Sequence, residues 1–370
     1  MTMKLKFLRS LMVVLAVPFL LAACERGAEK QVNILVPVPL TGDAASYGKI
    51  MREGIDLALD ELKSDPVSSK LNVIYRDSQL SLKEIVNIFQ QECARQTISV
   101  VMPVSTGESM VLAPLCNEKK VVLLPPLADG DELVKARPFF FRISPASSFQ
   151  GAILAKAVKE KGYKDAAILY LNDAWGTGLA DTLKREFEAA GGKIAASESV
   201  NPNQLDLRIQ LTKIKNSGAA ALIILVHPTE TVPALRQIRE LGLTVQIFGG
   251  DTFSNKAIFE EVADLAQGVI FALPSEPQNE IFNGFRAAYK KKYNANADVN
   301  AAAARDALMI VAKAVREGAT DGDSIRIALG KWSQAFQGAT GTIQWNEEGN
   351  VTTKQYSLYV IKGRSYEPLS

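Results

Sequence analysis

Residues 166–226 read AAILYLNDAWGTGLADTLKREFEAAGGKIAASESVNPNQLDLRIQLTKIKNSGAAALIILV. Three short aliphatic or β-branched runs, 166–171, 194–199 and 220–226, alternate with longer segments whose apolar residues recur at helical spacing. The first of those segments predicts a helix over 178–190, stopped by Gly191-Gly192, since glycine commonly follows a helix C-terminus. The second predicts a helix over 205–216. Short strands joined by helical crossovers form a parallel sheet with helices on both faces. A helix over 231–241 and a strand over 246–249 continue the pattern downstream. Upstream it occurs a first time: strands at 32–38, 71–76, 99–103 and 121–124 alternate with helices at 47–63, 81–96 and 108–118. The run Phe139-Phe140-Phe141-Arg142-Ile143 closes that block, and a helix over 149–161 opens the next. The prediction is an α/β fold of two doubly wound lobes with parallel central sheets. Beyond Leu273-Pro274, helices are expected at 280–293, 301–317 and 325–332, and hairpin strands around 341–345, Asn350 and 356–361.

The chain has 370 residues, enough for two domains that each bury a core, and 47% of them are hydrophobic, which excludes a disordered chain. Its 42 Lys and Arg against 40 Asp and Glu leave a charge of +2, and Lys4, Lys6 and Arg9 lie in a leader. The near-neutral remainder offers no field for a polyanion, so nucleic acid is excluded as a partner. With His227 as its only histidine, the chain has no multi-histidine metal site and little material for Ser-His-Asp chemistry. No cofactor, metal or catalytic residue is expected.

The leader, 1–23, pairs those cations with the apolar run 11–21, too short to cross about 30 Å of hydrocarbon. Leu21-Ala22-Ala23-Cys24 resembles the bacterial lipobox, in which the cysteine is acylated and becomes the mature N-terminus. A lipoprotein signal peptide, lipidation at Cys24 and a tether over 24–30 are expected, placing the protein in the periplasm or cell envelope, anchored by lipid alone. That compartment permits disulfides, and Cys93 and Cys116 fall on helices that flank the strand at 99–103. A Cys93–Cys116 bridge is expected.

Ligands of doubly wound sheets bind beyond the carboxyl ends of the strands. The loops there are 37–48, 77–79, 104–107, 125–131, 172–178, 227–230 and 249–255. The same loops carry a family resemblance. Val36-Pro37-Val38-Pro39-Leu40-Thr41-Gly42 with Ala45 and Gly48, then Asp77, Pro103-Val104-Ser105, Phe141-Arg142 with Gln150-Gly151, and Asn172-Asp173-Ala174-Trp175-Gly176 stand in one order. Gly249-Gly250-Asp251, Arg305-Asp306-Ala307 and Gly341-Thr342-Ile343-Gln344-Trp345 with Gly349 follow. In order and spacing this resembles the leucine/isoleucine/valine-binding proteins, the type I solute receptors of ABC transporters. The resemblance implies three crossings between the lobes, near 143–145, 273–277 and 351–354. Lobe 1 would comprise 31–143 with 275–350, and lobe 2 144–274 with 351–370. It also implies a ligand held in the cleft and a permease and ATPase partner.

Ser105 and Thr106, at a strand end ahead of a helix, could hold a carboxylate with their hydroxyls and the free amides of the helix terminus. Asp129, where relatives have a threonine, favours a cationic or donor-rich group. Asp251 matches a glutamate placed near the ligand's ammonium in relatives. Trp175 takes the place of a tyrosine that packs on the ligand. Tyr47, His227 and Phe253 complete the expected wall. Donors at one end and acids at the other suit a zwitterion such as an amino acid and suit a dicarboxylate or phosphate poorly. Two other classes stay open. Gly176-Thr177-Gly178 faintly echoes the glycines of a nucleotide-dependent enzyme but lacks the full spacing. A sensing or envelope-assembly lipoprotein could use the same clamshell.

Overall fold

The computed structural model describes residues 31–42, 44–331 and 335–369. The leader, the tether and Cys24 lie outside the described residues. From Val32 onward the chain forms one compact unit.

Its first sheet has the order β2-β1-β3-β4, all parallel, from β1 (Val32–Val38), β2 (Leu71–Asp77), β3 (Val100–Val101) and β4 (Val122–Leu123). Alternation of side chains sorts its two faces. Val32, Ile34, Val36 and Val38 face α1 (Ala45–Leu62) and α10 (Val299–Arg316). Leu35, Val101 and Leu123 face α2 (Leu82–Arg95) and α3 (Thr106–Lys119).

The second sheet is larger, with the order β13-β12-β9-β8-β7-β5-β6. Its parallel part comprises β5 (Asp165–Leu171), β6 (Lys193–Val200), β7 (Ala221–Leu225), β8 (Gln246–Gly249) and β9 (Ile270–Pro274). Ala166, Ile168, Ile223 and Leu225 pack on α4 (Ser147–Glu160) and α5 (Ala174–Ala189). Leu169, Leu171, Leu222 and Ile224 pack on the opposite side, with α6 (Arg208–Asn216), α7 (Pro228–Glu240) and α8 (Lys256–Glu261). Helices α9 (Glu280–Tyr293) and α11 (Gly322–Lys331) return to the first sheet's side, α9 against α1 and α11 against α10. A hairpin of β10 (Phe336–Gly338) and β11 (Gly341–Ile343) precedes β12 (Tyr356–Lys362), which adds antiparallel to β9 and turns into β13 (Ser365–Pro368). The chain therefore passes between the two sheets three times: after Phe140, after β9, and between Val351 and β12. The first and third passages are tied together, Arg142 donating its backbone N–H to Gly349 O (3.1 Å) and Trp345 Nε1 donating to Arg142 O (2.7 Å).

Four sequence expectations need correction. Strand β9 is absent from the sequence reading because a short, fully buried apolar run carries no alternation to mark it. Helix α5 begins four residues before the expected 178, because Asp173 caps it by accepting from Gly176 N (2.7 Å). Trp175 is thereby a helical residue. Helix α7 begins at Pro228, a proline suited to a first helical position. Finally, the bridge is absent: Cys93 and Cys116 are free thiols within the apolar layer between α2 and α3. Burial pushes both thiols up from their ordinary range.

The closest helix packing predicts an effect of its own. A Cβ on Gly54 would stand 2.2 Å from Ala301 O and 3.1 Å from Ala304 Cβ, so α1 and α10 meet backbone to backbone there. Gly54→Ala is expected to lower stability by about 1–3 kcal/mol, overpacking outweighing the gain in helix propensity. Gly284→Ala on α9 meets open space and is expected to stabilise by about 0.5–1 kcal/mol. Urea unfolding of the pair checks both signs.

Candidate functional site

Strand ends of both sheets converge on one cavity of ≈ 70 Å³. From the first sheet's side come Tyr47 on α1, Ser105 and Thr106 at the start of α3, and Asp129 on the loop after β4. From the second come Asp173 and Trp175 at the start of α5, His227 before α7, and Asp251 and Thr252 after β8. Asn300, in the first turn of α10, completes the polar lining. The walls touch. Asn255 Nδ2 donates to Ser46 Oγ (3.3 Å), and the Tyr47 and His227 rings meet edge to face at 6.1 Å. His227 in turn stacks on Trp175, centroids 5.3 Å apart and planes 28° apart.

Seven of the eight residues singled out from the sequence thus share one cavity: Tyr47, Ser105, Thr106, Asp129, Trp175, His227 and Asp251. Phe253 does not. The short turn Asp251–Ser254 directs Asp251 to the cavity and Phe253 the other way, into the sheet core beside Phe271 (6.3 Å). Sequence reading missed Asp173, Thr252 and Asn300 as lining residues, although each follows a strand or opens a helix. Behind the lining it also missed Tyr356, whose hydroxyl donates to Asp129 Oδ2 at 3.4 Å. Nothing local marks Tyr356, which reaches the site only because β12 joins the second sheet.

Local structure explains the placing of each polar group. Ser105 caps α3 in a reciprocal capping box: its Oγ accepts from Glu108 N (3.1 Å), and Glu108 Oε2 accepts from Ser105 N (3.2 Å). Thr106 Oγ1 accepts from Gly130 N (3.1 Å), pinning the Asp129 loop to α3. Arg142 is fully buried and holds that loop from beneath, Nη1 donating to Asp129 O (2.6 Å) and Nη2 to Gly130 O (3.0 Å). Gln150 Nε2 donates to Ala272 O (3.1 Å) under Asp251.

The electrostatics are unusual. Burial raises the Asp129 carboxyl to about 8, with the nearby Asp251 adding to the rise and Arg142 opposing it. Burial raises Asp251 as well, against the hydrogen bond from Gln150. Asp251 Oδ1 is shut off from solvent and has no hydrogen-bond donor. Burial lowers His227, so its ring is neutral at pH 7. Two acids that share a closed pocket cannot both ionise without a cation or a donor between them. A second cavity of ≈ 260 Å³ lies where the three passages run side by side, bounded by residues such as Pro145, Pro277 and Lys354. It lies among those connections and not between strand ends.

Comparison with known proteins places this geometry. The description of the periplasmic binding protein family fits residues 31–365, and the chain belongs to that family. The relatives include the leucine-, isoleucine-, valine-, threonine- and alanine-binding protein of Pseudomonas aeruginosa, 24% identical over 90% of both chains. Another is the Leu/Ile/Val-binding protein BraC3 of Rhizobium johnstonii, 26% identical over 90% of this chain and 92% of its own. Among solved structures, the leucine-binding protein LivK of Thermotoga maritima superposes with a TM-score of 0.86 at 24% identity, covering 92% of this chain and 98% of its own. A solute-binding protein of Rhodopseudomonas palustris in complex with benzoate gives 0.84 at 16% identity, covering 92% and 96%. At such identities the structural likeness establishes the fold, the type I periplasmic-binding-protein fold expected from the sequence. The family binds solutes and is not one of enzymes, as expected, and its location is extracytoplasmic.

Proposed function

We propose that the protein is an extracytoplasmic receptor that captures a small amine-bearing, amino-acid-like solute between its two lobes and delivers it to an ABC importer. The carrying observation is the pair Asp129 and Asp251, which line one cavity from opposite walls together with three aromatic rings. An ammonium between the two carboxylates would satisfy both and relieve their raised pKa values. Lobe 1 in this reading is 31–143 with 275–350, and lobe 2 is 144–274 with 351–370. Closure is then a population shift driven by contacts that the solute makes with both lobes at once. The names of the relatives, which bind branched-chain and small amino acids, support the solute class. The leader's lipobox supports attachment through lipid at Cys24.

A thermal-melt screen over amino acids, small amides, polyamines and ureas tests the reading. At a hundredfold excess over Kd the true solute is expected to add about 2.7 kcal/mol, a shift of several degrees. A screen in which no small amine or amino acid raises the midpoint, at any pH from 6 to 8, would remove the receptor assignment.

A further inference from the structure

The donor and acceptor inventory of the cavity narrows the solute, on the reading that the cavity is the solute site. The two hydroxyls at the start of α3 are already engaged. Ser105 Oγ accepts from Glu108 N and donates to Glu108 Oε2 (3.2 Å). Thr106 Oγ1 accepts from Gly130 N and faces Asp129 Oδ1 at 3.5 Å. The nearest guanidinium, Arg142, gives both terminal nitrogens to backbone carbonyls. Among the described residues no Lys or Arg lines the cavity, whereas Asp129, Asp173 and Asp251 do. For a carboxylate this leaves the first amides of α3 and uncharged donors such as the unpartnered Thr252 hydroxyl, beside acids that would repel it.

Acceptors are in surplus. Asp251 Oδ1 in the lining is buried without a donor, as is Gln150 Oε1 behind the lining, in a side chain 0% exposed. The side-chain oxygens of Asp129 make the long contacts at 3.5 Å with Thr106 and 3.4 Å with Tyr356. An unmet buried acceptor costs about 1–3 kcal/mol, so a guest that brings several donors is favoured over one that brings more acceptors. The Trp175 and His227 faces and the Tyr47 edge offer an aromatic surface suited to the flank of a cation. We propose that the pocket takes a monocationic amine whose remaining part is apolar or a neutral amide, with no free carboxylate, in preference to a zwitterionic amino acid.

The charged and titratable groups around the acid pair agree with this. Asp251 and Asp131 oppose ionisation of Asp129, Asp298 opposes that of Asp251, Asp298 and Glu230 oppose that of Tyr47, and Arg142 favours that of Asp129. An arriving ammonium therefore replaces a proton, and binding of an amine that stays cationic should tighten as pH rises from 6 towards 8.

The test is calorimetric titration of the purified full chain with matched pairs: leucine and leucinamide, alanine and alaninamide, with 3-methylbutylamine and 4-methylpentanoate as single-charge probes. The amide of a pair, or the free amine, is expected to bind at least tenfold more tightly than the amino acid, and the acid not at all. For 3-methylbutylamine, affinity is expected to rise several-fold per pH unit between 6 and 8, with uptake of the cation releasing about one proton. Asp129→Asn, which removes charge without removing bulk, should weaken amine binding tenfold or more and abolish that pH dependence. An amino acid that outbinds its own amide, or an amine affinity unchanged in Asp129→Asn, overturns the proposal and leaves the receptor reading in place. Binding by no member of the set or of the wider screen overturns both.

Discussion

Asp129→Asn is expected to stabilise the ligand-free protein at pH 8 by about 2 kcal/mol or more, and to leave it nearly unchanged at pH 5. Asp129 is 3% exposed and its carboxyl is raised to about 8. The unfolded chain loses that proton near pH 4, whereas the folded protein keeps it until about pH 8. Between those values the native state binds more protons than the unfolded state, so stability falls as pH rises. One such proton corresponds to about 1.4 kcal/mol per pH unit. Wild-type melting temperature should decline from pH 5 to 8, and the asparagine variant should show a flatter profile over that range. Saturating cationic solute should flatten the wild-type profile too. A wild-type stability that rises with pH over this window would show that the carboxyl is ionised in the folded protein.

Arg142→Met is expected to cost about 3–5 kcal/mol, the range for breaking a buried charged network from one side. Arg142 is 0% exposed and spans two carbonyls of the Asp129 loop, with its guanidinium 5.4 Å from the Phe140 ring centroid. Methionine fills much of the volume but leaves Asp129 O and Gly130 O without those donors. It also deletes the cation that opposes the rise of Asp129. Because the same loop presents Asp129 to the cavity, solute binding should weaken together with stability. Arg142→Lys retains the charge but not the planar fork, and should recover only part of the loss. Urea unfolding of the three proteins measures this. A cost below about 1 kcal/mol for methionine would mean that Thr106 and Ser147, which also bond the loop, hold it without the guanidinium.

Much of the cavity was legible along the chain because polar residues at strand ends and helix starts are forced towards one rim of a parallel sheet. Asp129 and Asp251 each follow a strand of a different block, so the sequence could place both acids at the cleft without knowing that they meet. It could not decide the direction of Phe253. A short helical turn sends residues two apart to opposite sides, so Phe253 entered the core while Asp251 faced the cavity. Trp175 lines the cavity from a helix and not from the expected loop, since the cap from Asp173 competes locally with the Gly-Thr-Gly signal that suggested a later start.

By itself the sequence determined the alternation of strand and helix, the doubled sheet, and the chemistry brought to the rim, all of which follow from local periodicity and crossover geometry. Only the tertiary structure decided that Ser105 and Thr106 spend their hydroxyls internally, that Cys93 and Cys116 remain thiols, and that two carboxyls share one closed space with Arg142 turned away from it. Those outcomes depend on which groups lie within about 3 Å of one another across the fold. Residue order fixes what each group can donate or accept, but long-range packing fixes which partner it finds.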